Sequence, residues 1–323
     1  MTARDARRAD STGLLLMVAS AACFAAMAPF TRKWLTAVDP QSIVLARALV
    51  MLAGFGAWGL ARRTRLGGRD RAGLLLRGFL GYLAISCYVW STQRLPSGQA
   101  VLLQYSHPVF VAALAPVLLK ERPGPLHWPL VLAGFAGLAV AIGVGDRFHS
   151  AAAIGLAGAL LSGLAYMTVR RISATEPPAT IVFWFALVML PCSALGAAIP
   201  WSPLDAIERA IGFAGTSAGA ASDAAAARHL LPAHGSEWFG CAAVVAAGLL
   251  GQITLTEGLA RAGAARAVAV TMSGPLFGLL FDRLFFGRSP TRLALAGTAV
   301  VVGALALLAW LKPPAAITAG EAE

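Results

Sequence analysis

Residues Leu102 to Phe110 read "LLQYSHPVF" and set Gln104, Tyr105, Ser106, His107 and Pro108 inside a stretch that is otherwise apolar from about Ala100 to Leu119. An imidazole can donate, accept or carry a proton near neutral pH, and an amide and a phenol each donate and accept hydrogen bonds. Gln104 and His107 are three apart and share a helix face, with Tyr105 on the neighbouring one. Pro108 removes a helix hydrogen bond and clashes with the carbonyl four residues back, which frees the carbonyl of Gln104.

A second set lies in "VTMSGPLFG", Val270 to Gly278, where Pro275 would free the carbonyl of Thr271 beside Ser273 and Gly274. Further back Tyr82, Ser86 and Gln93 recur at i, i+4 and i+11 with Trp90 beside them, and Gln252 lies in a later apolar run. These residues are expected to line one central cavity for a small-molecule substrate, with Tyr166, Trp184 and Phe24 as aromatic walls. The competing reading is helix–helix glue, about 0.6 kcal/mol per hydrogen bond on average. That reading is favoured for Ser20, Ser86 and Ser162; cavity lining is favoured for Gln104, Tyr105 and His107, since intramembrane ionisable groups are costly unless used.

Arg47 has two open readings: attraction of an anionic or zwitterionic substrate, or snorkelling to headgroups. Arg77 and Arg266 read as snorkelling, and Asp282 with Arg283 as an ion pair or gate element. His107, Glu257 and Asp282 are the candidates for proton coupling.

These side chains need elements that hold them in lipid. The chain has 323 residues, 58% of them hydrophobic and 13% charged, with a mean hydropathy of +0.72. That is too apolar for an ordinary soluble protein. A bilayer core of about 30 Å asks for roughly 20 apolar residues per helix. About ten such spans can be placed: Thr12 to Phe30, Gln41 to Leu60, Ala72 to Ser91, Gly98 to Leu119, Leu126 to Val144, Ala152 to Val169, Thr180 to Ile199, Glu237 to Thr256, Gly263 to Phe286 and Leu293 to Leu311.

A net charge of +11 could point to nucleic acid, but basic residues divide roughly 14 to 8 between alternate sides of these spans. The pattern is that of topology, with both termini cytoplasmic and no nucleic-acid partner. Cys23, Cys87, Cys192 and Cys241 fall inside spans at no ligand spacing, so neither a metal nor a cofactor is expected. A membrane-embedded enzyme acting on lipid or isoprenoid substrates is the alternative; it would need clustered Asp, Glu or His. Of five histidines only His107 is deep, and no aspartate-rich motif, phosphate loop or Ser/His/Asp set is present.

Shifting the chain by 167 residues lays "SHPVF" on "SGPLF" and Pro108 on Pro275. Gly81 then meets Gly248, Arg94 meets Arg261, Ala100 meets Ala267 and Pro123 meets Pro290. A repeat of five spans, an odd number, must enter the membrane from the opposite face the second time. The basic, apolar, Ala-rich start resembles a signal peptide, but its counterpart at Ala152 to Val169 marks it as a retained helix.

"LPSGQAVLLQYSHPVFVAALAPVLLKERPGPLHWPLVLAGFAGLAVAIG" closely resembles the fourth and fifth helices of the ten-helix EamA branch of the drug/metabolite transporter superfamily. "RGFLGYLAISCYVWSTQRLPSGQA" is similar to that family's third helix and junction, and "RLALAGTAVVVGALALLAW" to its last helix. Two departures are the Lys120-Glu121 and Gly287-Arg288 pairs where the family usually has Gly-Glu, and the loop from Trp201 to Ser236 is longer than the resemblance implies. The resemblance implies an all-α integral membrane protein of ten transmembrane helices in two inverted five-helix repeats, residues 12–145 and 150–311, between tails 1–11 and 312–323. It implies an exporter of a small polar metabolite in a bacterial inner membrane, working by alternating access. Small four-helix relatives that expel cationic drugs use a glutamate in their first helix; the first and sixth spans here hold no acid, against a proton-for-cation mechanism of that kind. In that family the fifth and tenth helices can contribute to dimer contacts, so a homodimer is allowed. Gly134, Gly137, Ala141, Gly297 and Gly303 would let helices pack closely.

Overall fold

A computed structural model describes residues 3–61, 66–118, 125–142, 150–172, 175–198, 204, 229–261 and 273–310. Thr271, Arg266, most of the 201–236 loop and the first part of the expected ninth span lie outside these residues.

Turn chemistry decides where helices start. Asp39 accepts the amides of Gln41 and Ser42 at 2.8 and 3.2 Å and so caps a helix opened by Pro40. Asp70 accepts the amide of Gly73 at 2.9 Å, and Glu176 accepts the amides of Arg69 and Asp70, tying the same turn to a later loop. Gly287, at φ 64°, ends the helix before it in the left-handed conformation that costs glycine least.

The elements are α1 (Ala3–Trp34), α2 (Pro40–Ala61), α3 (Arg71–Arg94), α4 (Ser97–Gln104), α5 (His107–Leu118), α6 (His127–Ile142), α7 (Ser150–Ile172), α8 (Pro178–Ala198), α9 (Gly235–Arg261), α10 (Gly274–Phe286) and α11 (Arg292–Trp310). No strand occurs among the described residues; one isolated bridge pairs Val38 with His229. Among the described residues six segments are long and apolar enough to cross a membrane, namely Thr12–Trp34, Pro40–Ala61, Arg71–Arg94, Ala151–Val169, Pro178–Ala198 and Gly235–Leu255. The run expected as one span from Gly98 to Leu119 is two helices, α4 and α5.

Helices pack in pairs drawn from the two halves: α1 on α9, α3 on α7, α2 on α8, α6 on α11 and α4 on α10. Glycines mark the contacts and show that each pair is antiparallel. Gly240 lies at Trp34 while Gly258 lies at Met17, and Gly155 lies at Ser91 while Gly158 lies at Cys87. Gly56 lies at Phe183 while Gly196 lies at Gln41. On α4 and α10, Gly98 meets Asp282, Val101 meets Gly278 and Tyr105 meets Gly274.

Gly137 and Gly297 bring α6 and α11 into backbone contact; a Cβ on Gly137 would lie 2.9 Å from the Gly297 carbonyl. Gly134 seats Val109 of α5, whereas Gly303 has open space around it and makes none of the close packing expected of it. The two largest apolar clusters lie between these helices. One holds Ala25, Val44, Tyr82, Tyr88, Tyr105 and Phe185; the other holds Trp90, Leu103, Val109 and Ile154.

Candidate functional site

The break between α4 and α5 is built by local chemistry. Tyr105 and Ser106 leave the helix, and the amide and hydroxyl of Ser106 both bond back to the Leu103 carbonyl, at 3.1 and 2.6 Å. The Gln104 carbonyl takes its hydrogen bond from Nδ1 of His107 at 2.9 Å. A carbonyl only accepts, so Nδ1 carries a proton, and whenever the ring is neutral Nε2 is its acceptor nitrogen. A polar break in lipid thus satisfies its own backbone. Pro108 is the second residue of α5, where a missing N–H costs nothing, and Pro275 is the second residue of α10 behind the N-cap Ser273.

The side chains divide as their spacing requires. Gln104 and His107 face α7: Nε2 of Gln104 donates to the Ser162 hydroxyl at 2.9 Å. The His107 ring stacks on Tyr166 with centroids 4.7 Å apart and planes 9° apart. Tyr105 points the other way, donating its hydroxyl to the Ala21 carbonyl of α1 at 3.1 Å, with its ring against Gly274. The break therefore joins α1, α7 and α10. Ser162, read from sequence as glue, is the partner of Gln104.

Other expected lining residues are held elsewhere. Tyr82 and Ser86 donate to Oε1 of Gln41 at 3.1 and 3.4 Å, a buried knot between α2 and α3. Nε2 of Gln93 bridges the carbonyls of Leu35 and Val38, at 2.7 and 2.8 Å. Trp90 is fully buried in the second cluster, with Arg94 over its ring at 3.6 Å. Gln252 is buried on α9 beside Gly251, which packs on Phe24. Trp184, expected as an aromatic wall, donates to the Leu66 carbonyl at 2.9 Å near a helix end.

Arg47 is buried, 3% exposed, and lies over Phe24 at 5.8 Å. Its position excludes snorkelling. Arg77 does not snorkel either: its guanidinium folds one turn deeper along α3, over Phe185 at 4.4 Å and across Gly81.

Asp282 and Arg283 form no ion pair. The Asp282 carboxylate crosses to α4 and accepts the amides of Ser97 and Gly98, at 3.1 and 2.8 Å, while Arg283 donates to Ser289. The N-cap residue of α4 is Pro96, which offers no capping side chain, so the carboxylate of α10 serves instead. Two residues with structural roles here escaped sequence reading. Gln41 passes for the end of a span because it follows Pro40. Tyr88, whose hydroxyl donates to the Phe24 carbonyl at 3.1 Å, carries no signal that separates it from an ordinary core aromatic.

Comparison with known proteins adds to this geometry. Residues 11–143 and 149–310 each match the model of the EamA-like transporter family. The pseudopaline exporter CntI of Pseudomonas aeruginosa is 27% identical over 243 residues, 74% of this chain and 75% of that protein. A riboflavin transporter of Rhizobium johnstonii is 30% identical over 132 residues, 39% of this chain and 44% of that protein. One solved crystal structure superposes with a TM-score of 0.61 at 22% identity, covering 93% of this chain and 98% of the other; that likeness speaks to the fold alone.

Proposed function

The chain belongs to the EamA-like transporter family, and on that premise we propose that it exports a small polar organic metabolite, an amino acid or a related compound, by alternating access. It is a multi-pass membrane transporter and not an enzyme, with a small-molecule substrate and the lipid bilayer as its partners. The observation that carries the finer reading is the interrupted fourth span. Gln104, Tyr105 and His107 sit where α4 ends and α5 begins, and the start of α10, with Ser273, Gly274 and Pro275, packs against Tyr105. Irregular backbone in a membrane is tolerated where it is buried in protein or lines a cavity, and matched interruptions in two halves point to a transporter's binding site.

In this reading ten helices form two inverted five-helix repeats, supported by the antiparallel packing of α2 on α8, α4 on α10 and α6 on α11, which are equivalent elements, while α1 and α3 each pack on the other's counterpart. The repeats are residues 12–145 and 150–311. The protein sits in the inner membrane with both termini cytoplasmic, as the basic-residue bias favours. Export is supported by the likeness to the pseudopaline exporter. A homodimer through the outer faces of α6 and α11 belongs to the same reading, since Leu132, Leu295 and Leu307 are exposed there.

The test is flux in vesicles reconstituted with the folded full-length chain, over a panel of amino acids and related metabolites. Saturable, selective flux is the expected outcome. Background flux across the whole panel would remove the reading.

A further inference from the structure

Arg47 and Arg77 turn guanidinium nitrogens into the interior, and neither forms an ion pair with a described carboxylate. Arg47 on α2 is 97% removed from solvent by its 3% exposure. One of its nitrogens, Nη1, reaches the Met27 sulfur at 3.9 Å, a weak acceptor, and Nε has no partner. On α3, Nε and Nη1 of Arg77 are buried without a partner. Four described acids are engaged at backbone amides: Asp39 at Gln41 and Ser42, Asp70 at Gly73, Glu176 at Arg69 and Asp70, and Asp282 at Ser97 and Gly98. The groups that do act on the two guanidiniums are Tyr88 and Arg77 on Arg47, and Tyr166 on Arg77.

The glycines that receive the two guanidiniums correspond between the halves, although both arginines come from the first half. Gly81 and Gly248 are equivalent under the internal repeat, and each is the bare backbone on which one of these guanidiniums lies. A Cβ on Gly81 would collide with Nη1 of Arg77, and a Cβ on Gly248 would come within 3.0 Å of Nε of Arg47. An aromatic ring backs each guanidinium, Phe185 for Arg77 and Phe24 for Arg47. Tyr166, beside Arg77, is also the ring on which His107 stacks. Burying a charge is costly unless an opposite charge and hydrogen bonds compensate it. Burying two like charges near one another raises that cost. Aromatic faces recover a part of it, but none of the five guanidinium donors' geometry is matched by them.

We propose that the missing counter-charge is the cargo: the transported metabolite carries an anionic group, a carboxylate or a phosphate, that binds between Arg47 and Arg77 next to Tyr166 and His107. This rests on the transport reading above and adds to it the charge of the substrate. Bound there, the anion takes hydrogen bonds from the nitrogens that lack partners. It also relieves the repulsion between the two cations.

The experiment is thermal unfolding of the purified full-length protein in detergent with carboxylates, each paired with its primary amide, and phosphate monoesters, each paired with its parent alcohol. A ligand that binds the folded form selectively raises Tm. The expected result is a shift of about 2 °C or more with at least one anion and none with its neutral mate. That shift is lost in Arg47→Met and in Arg77→Met and partly kept in Arg47→Lys. The ligand-free Tm of Arg47→Met should equal or exceed that of the wild type, because an uncompensated buried charge has gone; a structural arginine would lower it. Stabilisation by neutral compounds equal to that by their charged mates, no stabilisation by any anion, or a full shift surviving in both Met variants overturns the proposal. Flux of neutral metabolites in vesicles would then leave the transport reading standing. Absence of all flux by the folded protein would remove both.

Discussion

The imidazole of His107 lies flat on the phenol of Tyr166, centroids 4.7 Å apart, while its Nδ1 holds the Gln104 carbonyl at 2.9 Å. One ring therefore both closes the backbone at the α4–α5 break and braces that break against α7.

His107→Ala should lower flux severalfold while leaving membrane abundance near the wild-type level, because the backbone turn keeps its other bonds through Ser106. Tyr166→Leu keeps bulk and loses the stacked face, so it should weaken flux less. Wild-type kinetics in His107→Ala would take the imidazole out of the transport site.

Gln104→Ala and Ser162→Ala each remove one side of a 2.9 Å hydrogen bond. If the two act only through each other, the double variant should match the more affected single variant rather than add to it. Additive losses of flux would show that Gln104 acts on something other than Ser162.

Asp282→Ala should destabilise the protein by about 1 kcal/mol, the usual worth of a lost helix cap, since Ser97 and Gly98 lose their acceptor. Asp282→Asn should lose less, because an amide oxygen still accepts. Arg283→Ala, which breaks only an exposed bond to Ser289, should leave the unfolding midpoint unchanged. Equal effects at positions 282 and 283 would point instead to an ion pair between the two side chains.

Gly297→Leu should lower stability and abundance, by about 1–3 kcal/mol for overpacking, because backbone of α6 occupies the space a side chain would need. Gly303→Leu, with open space around it, should be neutral in the monomer. A change in oligomeric state in Gly303→Leu would identify that face as the dimer contact.

Gly274→Ala should impair flux, since the new methyl would collide with the Tyr105 ring and push it from α10. Tyr105→Phe loses only the bond to the Ala21 carbonyl and should be milder. Flux in Gly274→Ala equal to wild type would mean that α4 and α10 shift freely against each other.

Part of the site was legible because helical spacing projects directly into space. Gln104 and His107, three apart, do share the face toward α7, and Tyr105 does lie beside it, toward α1. Pro108 also marked the interruption of the fourth span, although it, like Pro275, begins a helix instead of breaking one. Tyr82, Trp90 and Gln93 have the same kind of spacing, yet their partners are Gln41, an apolar cluster and loop carbonyls. Spacing says which side chains share a face; it does not say what that face meets.

The sequence by itself determined the helical membrane class, the duplication and the place where the fourth span is interrupted. Each of these follows from hydropathy over about 20 residues, from self-similarity or from the missing proline N–H. Only the tertiary structure decided that Asp282 caps a helix 184 residues away, that Gln41 rather than a ligand takes Tyr82, and that Arg47 and Arg77 turn inward without a carboxylate. Those outcomes depend on which helices of the two halves lie side by side. Hydropathy is the same for a helix whichever neighbour it packs against, so no reading of one span at a time contains them.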